Sequence, residues 1–328
     1  MKDGKKLVWI LDDEWTEHHL EEELFNQNGF TLKVSTSATL SDDLAEYGPA
    51  ADGVIVQVGF NCEKRIIDQL DSCKVIAVYG VGFNHVDIEA AAEKEIPVCN
   101  VPDYCVEEVA DHTIALMLAV SRRIKSYSRQ VENGKWDALE TLPFKRFKDM
   151  TIGLFGFGRI SQLVAKKLQT FGSRIIAFDK YADRQVFDEL GVTSVSMKEL
   201  LTQSDLLSLH IPITPETENI MNSETLQLMP KGAFLINTCR GGVVNEKDLA
   251  AAIAAGQIGG AGLDVLKEEP PRQDNPLLQQ REVLITPHCS YISENSVATL
   301  KQRTCTLILD GVDRDHFENV VNLKTFAN

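Results

Sequence analysis

The feature that constrains this chain most is the regular alternation of short apolar runs with segments of helical periodicity. In the first hundred residues the apolar runs are LVWIL (7–11), LKVS (32–35), GVIVQ (53–57), KVIAVY (74–79) and PVCNV (97–101). Strands that alternate with helices form a parallel sheet covered by helices on both faces. This part of the sequence therefore predicts one small α/β domain.

Two helices of this region have recognisable limits. Residues 16–28 predict a helix that Thr16 caps and Gly29 ends. Residues 106–131 keep helical periodicity throughout, and the first half of this stretch is apolar on nearly all sides. We expect one long helix here, buried between domains or subunits.

A second series of apolar runs begins at Met150 and predicts a Rossmann domain of six strands. The runs are TIGLF (151–155), RIIAF (174–178), DLLSLH (205–210), AFLIN (233–237), GAGLDV (260–265) and VLITP (283–287). The last forty residues contain one long helix and are too few for a domain of their own, so they should fold back onto the first domain.

The predicted fold class is therefore α/β, with two Rossmann-like, doubly wound parallel-sheet domains separated by a cleft. The first domain is discontinuous and flavodoxin-like, formed by residues 1–102 and 291–328, and the second spans residues 103–290. A chain of 328 residues is also longer than one hydrophobic core usually extends.

The charge balance excludes some partners. The chain carries 48 acidic and 33 basic residues, a formal net charge of −15, which would repel nucleic acid and anionic membranes. We therefore expect neither as a partner. A small anionic ligand would need a local cluster of donors.

The cysteines and the N-terminus predict a cytoplasmic protein. Seven scattered cysteines without a CxxC pair are typical of reduced, mostly buried thiols. The N-terminal apolar run has about five residues, whereas a signal peptide needs roughly 7–15 and a membrane span roughly 20.

A glycine motif follows the first strand of the second series. Gly156 permits a tight turn, and Gly158 lets the backbone approach a pyrophosphate held by the N-terminus of the next helix. Arg159 can add a charge-assisted contact. Ser161 stands where a third glycine is usual, so we expect slightly looser helix–strand packing but not loss of binding.

Asp179 ends the next strand, where a carboxylate accepts hydrogen bonds from the adenosine ribose. It would also repel a 2′-phosphate. NAD is therefore the predicted cofactor and NADP the less favoured one, although Lys180 directly follows the acid.

Three ionisable residues follow later strands of the second series, where a Rossmann sheet presents its ligand-binding edge. Arg240 supplies a forked cation for a carboxylate and carbonyl. His288 is suited to protonate a carbonyl oxygen near neutral pH. Glu269 behind the imidazole would orient it and favour its charged form.

Each of these three residues, taken singly, is more often a surface residue or a helix cap than a catalyst. Glu269 also has an immediate competitor in Glu268. The remaining histidines are expected to be solvated or structural, except that His210 ends a strand and is expected to line the cofactor cleft. No spacing resembles a zinc or iron site, so no metal is predicted.

Four blocks together resemble the D-isomer-specific 2-hydroxyacid dehydrogenases over nearly the full length of the chain. They are GLFGFGRIS (153–161), LHIPITPET (209–217), LINTCRGGVVNEKDLAAAI (235–253) and GAGLDVLKEEPP with ITPH (260–288). The resemblance implies that Arg240 anchors the substrate, that His288 is the acid/base and that Glu269, which directly precedes proline, is its partner.

The resemblance also assigns binding residues. It implies that Asp264 holds the nicotinamide carboxamide, and that the cofactor is contacted by Gly156, Gly158, Arg159, Ile160, Asp179, His210, Pro212, Thr238, Cys239 and Asp264. A first-domain loop, Tyr79-Gly80-Val81-Gly82, would present backbone N–H groups to the substrate carboxylate. Residues 103–150 would form a dimerisation arm, so a homodimer is expected.

The sequence has similarities to two branches of this family. GKW (134–136) is similar to phosphoglycerate dehydrogenases, but Val78 stands where many of those have an arginine, which disfavours a phosphorylated substrate. NVPDYCVEEVADHTIALML (100–118) and ITPHCSYISE (285–294) are more similar to the C-terminal-binding-protein branch. Tyr291 stands where that branch often has tryptophan and would line the substrate pocket.

Two functions remain as hypotheses. The leading one is an NAD-dependent reductase of small 2-keto acids, with hydroxypyruvate and glyoxylate ranked first. The alternative is an NAD-responsive, corepressor-like binding protein whose dehydrogenase activity is incidental. Retention of Arg240, Glu269 and His288 together argues against the alternative, because a scaffold needs no matched acid/base set.

Overall fold

The computed structural model describes residues 5–140 and 145–322. The ends of the predicted first domain and residues 141–144 of the predicted arm lie outside this part. The chain divides into two compact units, Met1–Tyr104 with Ser293–Asn328, and Cys105–Ile292. Each boundary differs by two residues from the one expected from the sequence.

The first unit is built on a five-stranded parallel sheet. Its strands are β1 (Lys6–Leu11), β2 (Phe30–Ser35), β3 (Gly53–Gln57), β4 (Val75–Tyr79) and β5 (Val98–Cys99). They are ordered β2-β1-β3-β4-β5, and every neighbouring pair is parallel. β3 and β4 are buried along their whole length, which explains why they are continuous apolar runs in the sequence.

Four short helices connect these strands. They are α1 (His19–Gln27), α2 (Leu40–Tyr47), α3 (Lys64–Ile67) and α4 (Ile88–Glu93). The prediction that Thr16 caps the first helix is wrong, because α1 begins three residues later with His18 at its N-cap. The preceding segment instead turns on Asp12, whose Oδ1 accepts the N–H groups of Glu14 and Trp15.

The second unit contains a seven-stranded parallel sheet, ordered β12-β11-β10-β9-β6-β7-β8. Its strands are β6 (Thr151–Phe155), β7 (Arg174–Phe178), β8 (Thr193–Ser194), β9 (Leu206–Leu209), β10 (Ala233–Asn237), β11 (Ile258–Leu263) and β12 (Val283–Ile285). The sequence predicted only six strands. The additional strand, β8, is a two-residue exposed edge without an apolar run.

The helices of the second unit cover this sheet. They are α5 (Val106–Ser121), α6 (Ile124–Glu132), α7 (Arg159–Leu168), α8 (Arg184–Glu189), α9 (Met197–Gln203), α10 (Ser223–Leu228) and α11 (Glu246–Ala254). Except for α6, which has no buried residue, their apolar faces and the sheet form two hydrophobic clusters, one on each face of the sheet.

The prediction of a single long helix over residues 106–131 is wrong. Arg123 has a left-handed backbone with φ of 56°, which separates α5 from α6. Its guanidinium donates to the Gly259 carbonyl and lies 5.1 Å from the centre of the Phe234 ring. This break is stabilised by contacts remote in sequence, which helical periodicity does not report.

The C-terminal helix, α12 (Glu294–Arg314), belongs to the first unit. It packs on the central strands, where a Cβ on Gly53 would lie 2.9 Å from the Ile308 side chain. Within residues 5–140 and 145–322, no helix combines the length and the apolar character needed to cross a membrane.

A buried ionic cluster lies near the carboxyl ends of β1 and β4. Glu21 is fully buried, and its Oε1 accepts hydrogen bonds from Tyr79 Oη at 2.8 Å and pairs with Lys301 Nζ at 2.9 Å. His18 Nε2 lies 3.0 Å from Asp12 Oδ2. Hydrogen bonds to Asp12 and Glu21 raise the pKa of His18 to about 9, although burial opposes this.

The same cluster lowers the pKa of its carboxylate Glu21. Burial alone would raise the pKa of Glu21, but hydrogen bonds from His18 and Lys301 outweigh it and lower the pKa to about 2. Both groups are therefore charged at neutral pH. The cluster stabilises the loop after β1 against α12 through fixed charges rather than through apolar packing.

We predict that His18→Gln destabilises the protein in a pH-dependent way. Because the pKa of His18 is raised on folding, its charged form stabilises the protein fully below about pH 6.5 and loses this effect as pH rises through about 9. The variant should lose up to roughly 3 kcal/mol at pH 6 and clearly less at pH 10. Calorimetric unfolding midpoints measure the difference.

The control is the neighbouring histidine. The His19 side chain is 83% exposed, so His19→Gln should change stability by less than about 0.5 kcal/mol at both pH values. An equal loss for His18→Gln at pH 6 and pH 10 would contradict the electrostatic interpretation.

Candidate functional site

The glycine turn after β6 requires a residue without a side chain. Gly156 has φ of +90°, and a Cβ there would lie 2.3 Å from the backbone oxygen of His210. The Gly156 N–H donates to the Phe178 carbonyl at 2.8 Å. The turn is thus packed tightly between the ends of β7 and β9, as expected for a strand-to-helix turn in this position.

The next glycine, Gly158, has open space beside its backbone. Gly158 is the N-cap of α7, no side chain caps this helix end, and no atom lies within 4 Å of the position a Cβ would take. The first-turn N–H groups of a helix lack intrahelical acceptors and attract anions. Arg159 and Ile160 occupy that first turn, with Arg159 exposed and Ile160 half-buried.

Ser161, which replaces the usual third glycine, is fully buried on α7. Its Oγ has no hydrogen-bond partner among the described residues. The small side chain is accommodated between helix and sheet, but its hydroxyl gains no bond there.

Asp179 lies beside the glycine turn, at the end of β7. Its Oδ2 accepts the Phe157 N–H at 2.6 Å, and its Oδ1 accepts the N–H groups of Tyr181 and Ala182 at 2.7 and 3.0 Å. The carboxylate therefore joins the turn to the segment after β7. The structure places this residue next to the glycine motif, and it also has a structural task that the sequence did not indicate.

The residues after β9 and β10 lie at the same edge of the sheet. His210 is hydrogen-bonded to Ser208 Oγ at 3.0 Å, and burial lowers its pKa to about 4, so it is neutral at physiological pH. Pro212 is exposed two residues later. Thr238 is buried and shares a 2.8 Å hydrogen bond with Thr113 of α5.

Cys239 follows Thr238 and is a protonated thiol. Burial raises the pKa of Cys239. Its Sγ contacts Asn237 Oδ1 at 3.1 Å, and the same oxygen accepts the Cys239 N–H at 3.0 Å. The residue thus shapes the turn after β10 and is not poised as a nucleophile.

A histidine–carboxylate pair follows β11 and β12. His288 Nδ1 lies 2.6 Å from Glu269 Oε2, and Glu269 Oε1 accepts the Leu266 N–H at 2.8 Å. Burial opposes ionisation of Glu269, but the hydrogen bond and charge of His288, together with the Leu266 N–H, outweigh it and lower the pKa of the carboxyl. The His288 side chain is 31% exposed, so its ring is accessible from solvent.

The choice between the two adjacent glutamates is thereby resolved in geometry, because Glu269 is the one that bonds to the imidazole. His288 itself has a left-handed backbone with φ of 51°, uncommon for a residue with a side chain. Its N–H donates to the carbonyls of Asp264 and Thr286, which hold this conformation.

Asp264 is buried and organises the segment around His288. Its carboxylate accepts hydrogen bonds from Thr286 Oγ1 at 2.6 Å and from the N–H groups of Cys289 and Ser290 at 3.0 and 2.9 Å. Burial opposes its charge, but the bonds from Ser290 and Thr286 outweigh it and lower the pKa of Asp264.

His112 of α5 was not singled out by the sequence. Its Nε2 lies 3.0 Å from Thr286 Oγ1 and 3.6 Å from Asp264 Oδ1. His112, Asp264 and Cys289 are three side chains of metal-ligand type whose ligand atoms lie within 4.8 Å of one another. Sequence spacing did not indicate this group. Both Asp264 oxygens already accept hydrogen bonds, so we interpret the group as a hydrogen-bond cluster. The available signal was a histidine just before the apolar run of α5 that begins at Ile114.

Arg240 follows β10 and is half-buried. Its Nη1 donates to the Cys239 carbonyl at 2.6 Å, and its own carbonyl accepts from Asn237 Nδ2 at 2.9 Å. The adjacent Gly241 packs directly on the backbone of Leu266, where a Cβ would lie 1.9 Å from the Leu266 carbonyl carbon. Because Leu266 also bonds to Glu269, this contact brings the arginine turn next to the histidine–carboxylate pair.

Tyr291 packs against the catalytic candidate. Its ring centre lies 6.3 Å from that of His288, with an interplanar angle of 85°. The edge-to-face arrangement is one that aromatic pairs prefer. The structure thus places Tyr291 beside the imidazole.

The predicted carboxylate loop belongs to the first unit and follows β4. The Tyr79 side chain is buried and donates to Glu21, so only its backbone remains available to a ligand. Gly80 has φ of +154° and Val81 is exposed. Within the described residues, the N–H groups of Val81 and Gly82 donate no hydrogen bond.

Comparison with known proteins identifies the family. The sequence profile described as "D-isomer specific 2-hydroxyacid dehydrogenase, NAD binding domain" matches residues 114–290. The D-3-phosphoglycerate dehydrogenase of Methanocaldococcus jannaschii is 38% identical over 301 residues, which cover 89% of this chain and 55% of that protein. This chain therefore spans about half the length of that relative.

Two further relatives are similar over most of their own length. The hydroxypyruvate reductase of Blautia hydrogenotrophica is 34% identical over 238 residues, covering 71% of this chain and 74% of that protein. The crystal structure of D-lactate dehydrogenase from Aquifex aeolicus, complexed with NAD and lactic acid, superposes with a TM-score of 0.85 at 28% identity. The superposition covers 94% of this chain and 96% of that chain.

We predict that Gly241→Ala disrupts the site, because the new Cβ would lie 1.9 Å from the Leu266 carbonyl carbon and force the two backbones apart. Such overpacking should cost about 1–3 kcal/mol or more, measurable as a lower unfolding midpoint. The matched control is Gly242→Ala, whose Cβ would meet only the Ile213 side chain at 3.2 Å. Equal midpoints for the two variants would refute the close-contact argument.

Proposed function

We propose that this chain, which belongs to the D-isomer-specific 2-hydroxyacid dehydrogenase family, is an NAD-dependent oxidoreductase of small 2-keto and D-2-hydroxy acids. The observation that carries the proposal is the 2.6 Å bond between His288 and Glu269, at the sheet edge that also presents the glycine turn. Such a pair is suited to move one proton at a substrate oxygen.

The residues around the glycine turn fit a dinucleotide. The open space at Gly158 and the uncapped start of α7 suit a pyrophosphate, and Asp179 suits the ribose hydroxyls. Lys180 has Glu216 at 3.4 Å, which offsets its charge, so we propose NAD rather than NADP. When bound, the nicotinamide supplies or accepts the hydride.

The protein's own groups would bind the substrate and supply the proton during reduction. Arg240 would bind the substrate carboxylate through its guanidinium. His288, protonated and held by Glu269, would donate its Nε2 proton to the carbonyl oxygen as C2 gains the hydride. The products are the hydroxy acid, the oxidised cofactor and neutral His288, which regains its proton from solvent.

We propose hydroxypyruvate and glyoxylate as the first substrates to test. A relative named hydroxypyruvate reductase supports this choice. A phosphorylated acid is less favoured, because Val78 is fully buried among apolar residues and provides no cation. The side-chain preference depends on pocket shape, where one methylene is worth only about 1–3 kcal/mol.

We also propose that the protein is a cytoplasmic homodimer. Large apolar side chains on and after α6 are exposed, with Trp136 91% and Leu139 70% exposed, which is typical of a surface that meets another chain. Sedimentation velocity at micromolar concentration tests this assembly.

The direct test is a screen of 2-keto acids with NADH oxidation as the readout. We expect turnover of hydroxypyruvate or glyoxylate by the wild type, and a loss of about 10²–10⁴-fold in kcat for His288→Gln, because proton donation is removed. NADH affinity, followed by fluorescence, should change less than about twofold. His316→Gln, an exposed histidine elsewhere, is the control.

The screen also separates the two hypotheses. Tight NADH binding without turnover of any keto acid would contradict the reductase and favour the corepressor-like alternative. Equal kcat for the wild type and His288→Gln would remove His288 from the mechanism.

We predict that Glu269→Gln lowers kcat for reduction. The lowered pKa of Glu269 keeps its carboxylate ionised at neutral pH, and that carboxylate lies 2.6 Å from His288 Nδ1. Without this anionic acceptor the imidazole is no longer held in one orientation, so kcat should fall about tenfold or more. The neighbouring Glu268→Gln should keep the wild-type kcat, and an equal loss in both variants would argue against this role.

A further inference from the structure

We propose that Asn100 is a positioning residue for the loop Tyr79–Gly82, which it holds so that two backbone N–H groups face a substrate carboxylate. The proposal rests on the proposed function for its ligand. Its geometry comes from the first unit alone, where the segment after β5 lies beside the loop after β4.

Two carbonyls of the loop are bonded to this neighbouring segment. The Gly80 carbonyl accepts the Val101 N–H at 3.0 Å, and the Val81 carbonyl accepts Asn100 Nδ2 at 2.7 Å. Asn100 is only 7% exposed, so its amide is held in place rather than sampling solvent.

These two bonds determine where the loop's donors point. In a planar trans peptide the carbonyl and the N–H of the following residue point in opposite directions. The Gly80 carbonyl therefore sets the direction of the Val81 N–H, and the Val81 carbonyl sets that of the Gly82 N–H. Because both carbonyls face the same segment, both N–H groups face away from it, on the same side of the loop.

The two N–H groups are available on that side. They donate no hydrogen bond within the described residues, and the residue Gly82 is half-buried, where donors are normally paired. Adjacent N–H groups aimed together form an anion-binding concavity. Glycine at 80 and 82 lets an anion approach the backbone closely. A carboxylate with two oxygens matches two neighbouring donors.

Asn100 supplies the part of this arrangement that a side chain determines. The Val101 bond is made by backbone and survives most substitutions, but the bond to the Val81 carbonyl needs an amide donor at position 100. Without it, the peptide between Val81 and Gly82 can rotate, and one of the two donors turns away. The predicted consequence is weaker carboxylate binding with the cofactor site unaffected.

The experiment compares Asn100→Ala with Asn322→Ala. Asn322 makes similar bonds in the same unit, accepting the Val98 N–H at 2.8 Å and donating to the Ile96 carbonyl at 2.9 Å, but does not contact the loop. We expect Asn100→Ala to raise the KM for the keto acid about tenfold or more while kcat and NADH affinity change less than about threefold. Asn322→Ala should lower the unfolding midpoint similarly without this KM change.

Equal KM values in the two variants would show that Asn100 is merely structural and would overturn the proposal. A second readout does not depend on turnover. In amide NMR spectra with oxamate as the probe, the Val81 and Gly82 signals should shift in the wild type and in Asn322→Ala, but much less in Asn100→Ala.

The two possible failures are distinguishable. A wild type that reduces no keto acid contradicts the proposed function, whereas oxamate shifts that depend on Asn100 still support the positioning role. Shifts that are absent from the wild type, or the same in Asn100→Ala, refute that role whatever the activity.

Discussion

The candidate site depends on the direct backbone contact between the turn after β10 and the turn after β11. Only glycine at position 241 allows it, because a Cβ would lie 2.0 Å from the Leu266 carbonyl oxygen. On one side of this contact stands Arg240. On the other, the Leu266 N–H holds Glu269, which holds His288. Residues nearly fifty positions apart are thus linked by three successive contacts.

The position of the His288 imidazole is also fixed through the backbone of its own segment. Asp264, buried and charged, receives three hydrogen bonds from the segment that carries His288 and sits beside His112 of α5. An uncommon left-handed conformation at His288 persists because this surrounding network specifies it. The pair is therefore preorganised by neutral donors and one buried carboxylate.

Much of this could be predicted from the sequence, because parallel strands buried on both faces are short apolar runs. β3, β6, β7 and β10 begin and end at the predicted residues. The edge strand β8 has no such run and was missed. The start of α1 and the break at Arg123 depend on contacts with Asp12 and Gly259, which local patterns do not contain.

The candidate site, like the fold, could be predicted only in part from the sequence. Glu269, His288 and the glycine turn lie where strand ends and turn chemistry predict, since the carboxyl ends of parallel strands share one edge. His112 and Thr113 were not predicted, because they lie on a helix whose apolar periodicity dominates. The tasks of Asp179 and Asn100 as backbone acceptor and donor are tertiary interactions, and residue type alone does not reveal them.

The most direct test of the account is to follow the hydride itself. NADH deuterated at C4 of the nicotinamide, on the transferred face, should yield a D-2-hydroxy acid carrying one deuterium at C2 when the protein reduces hydroxypyruvate. NMR and chiral chromatography of the product measure both properties. A product of the L configuration, or one without deuterium at C2, would contradict the account.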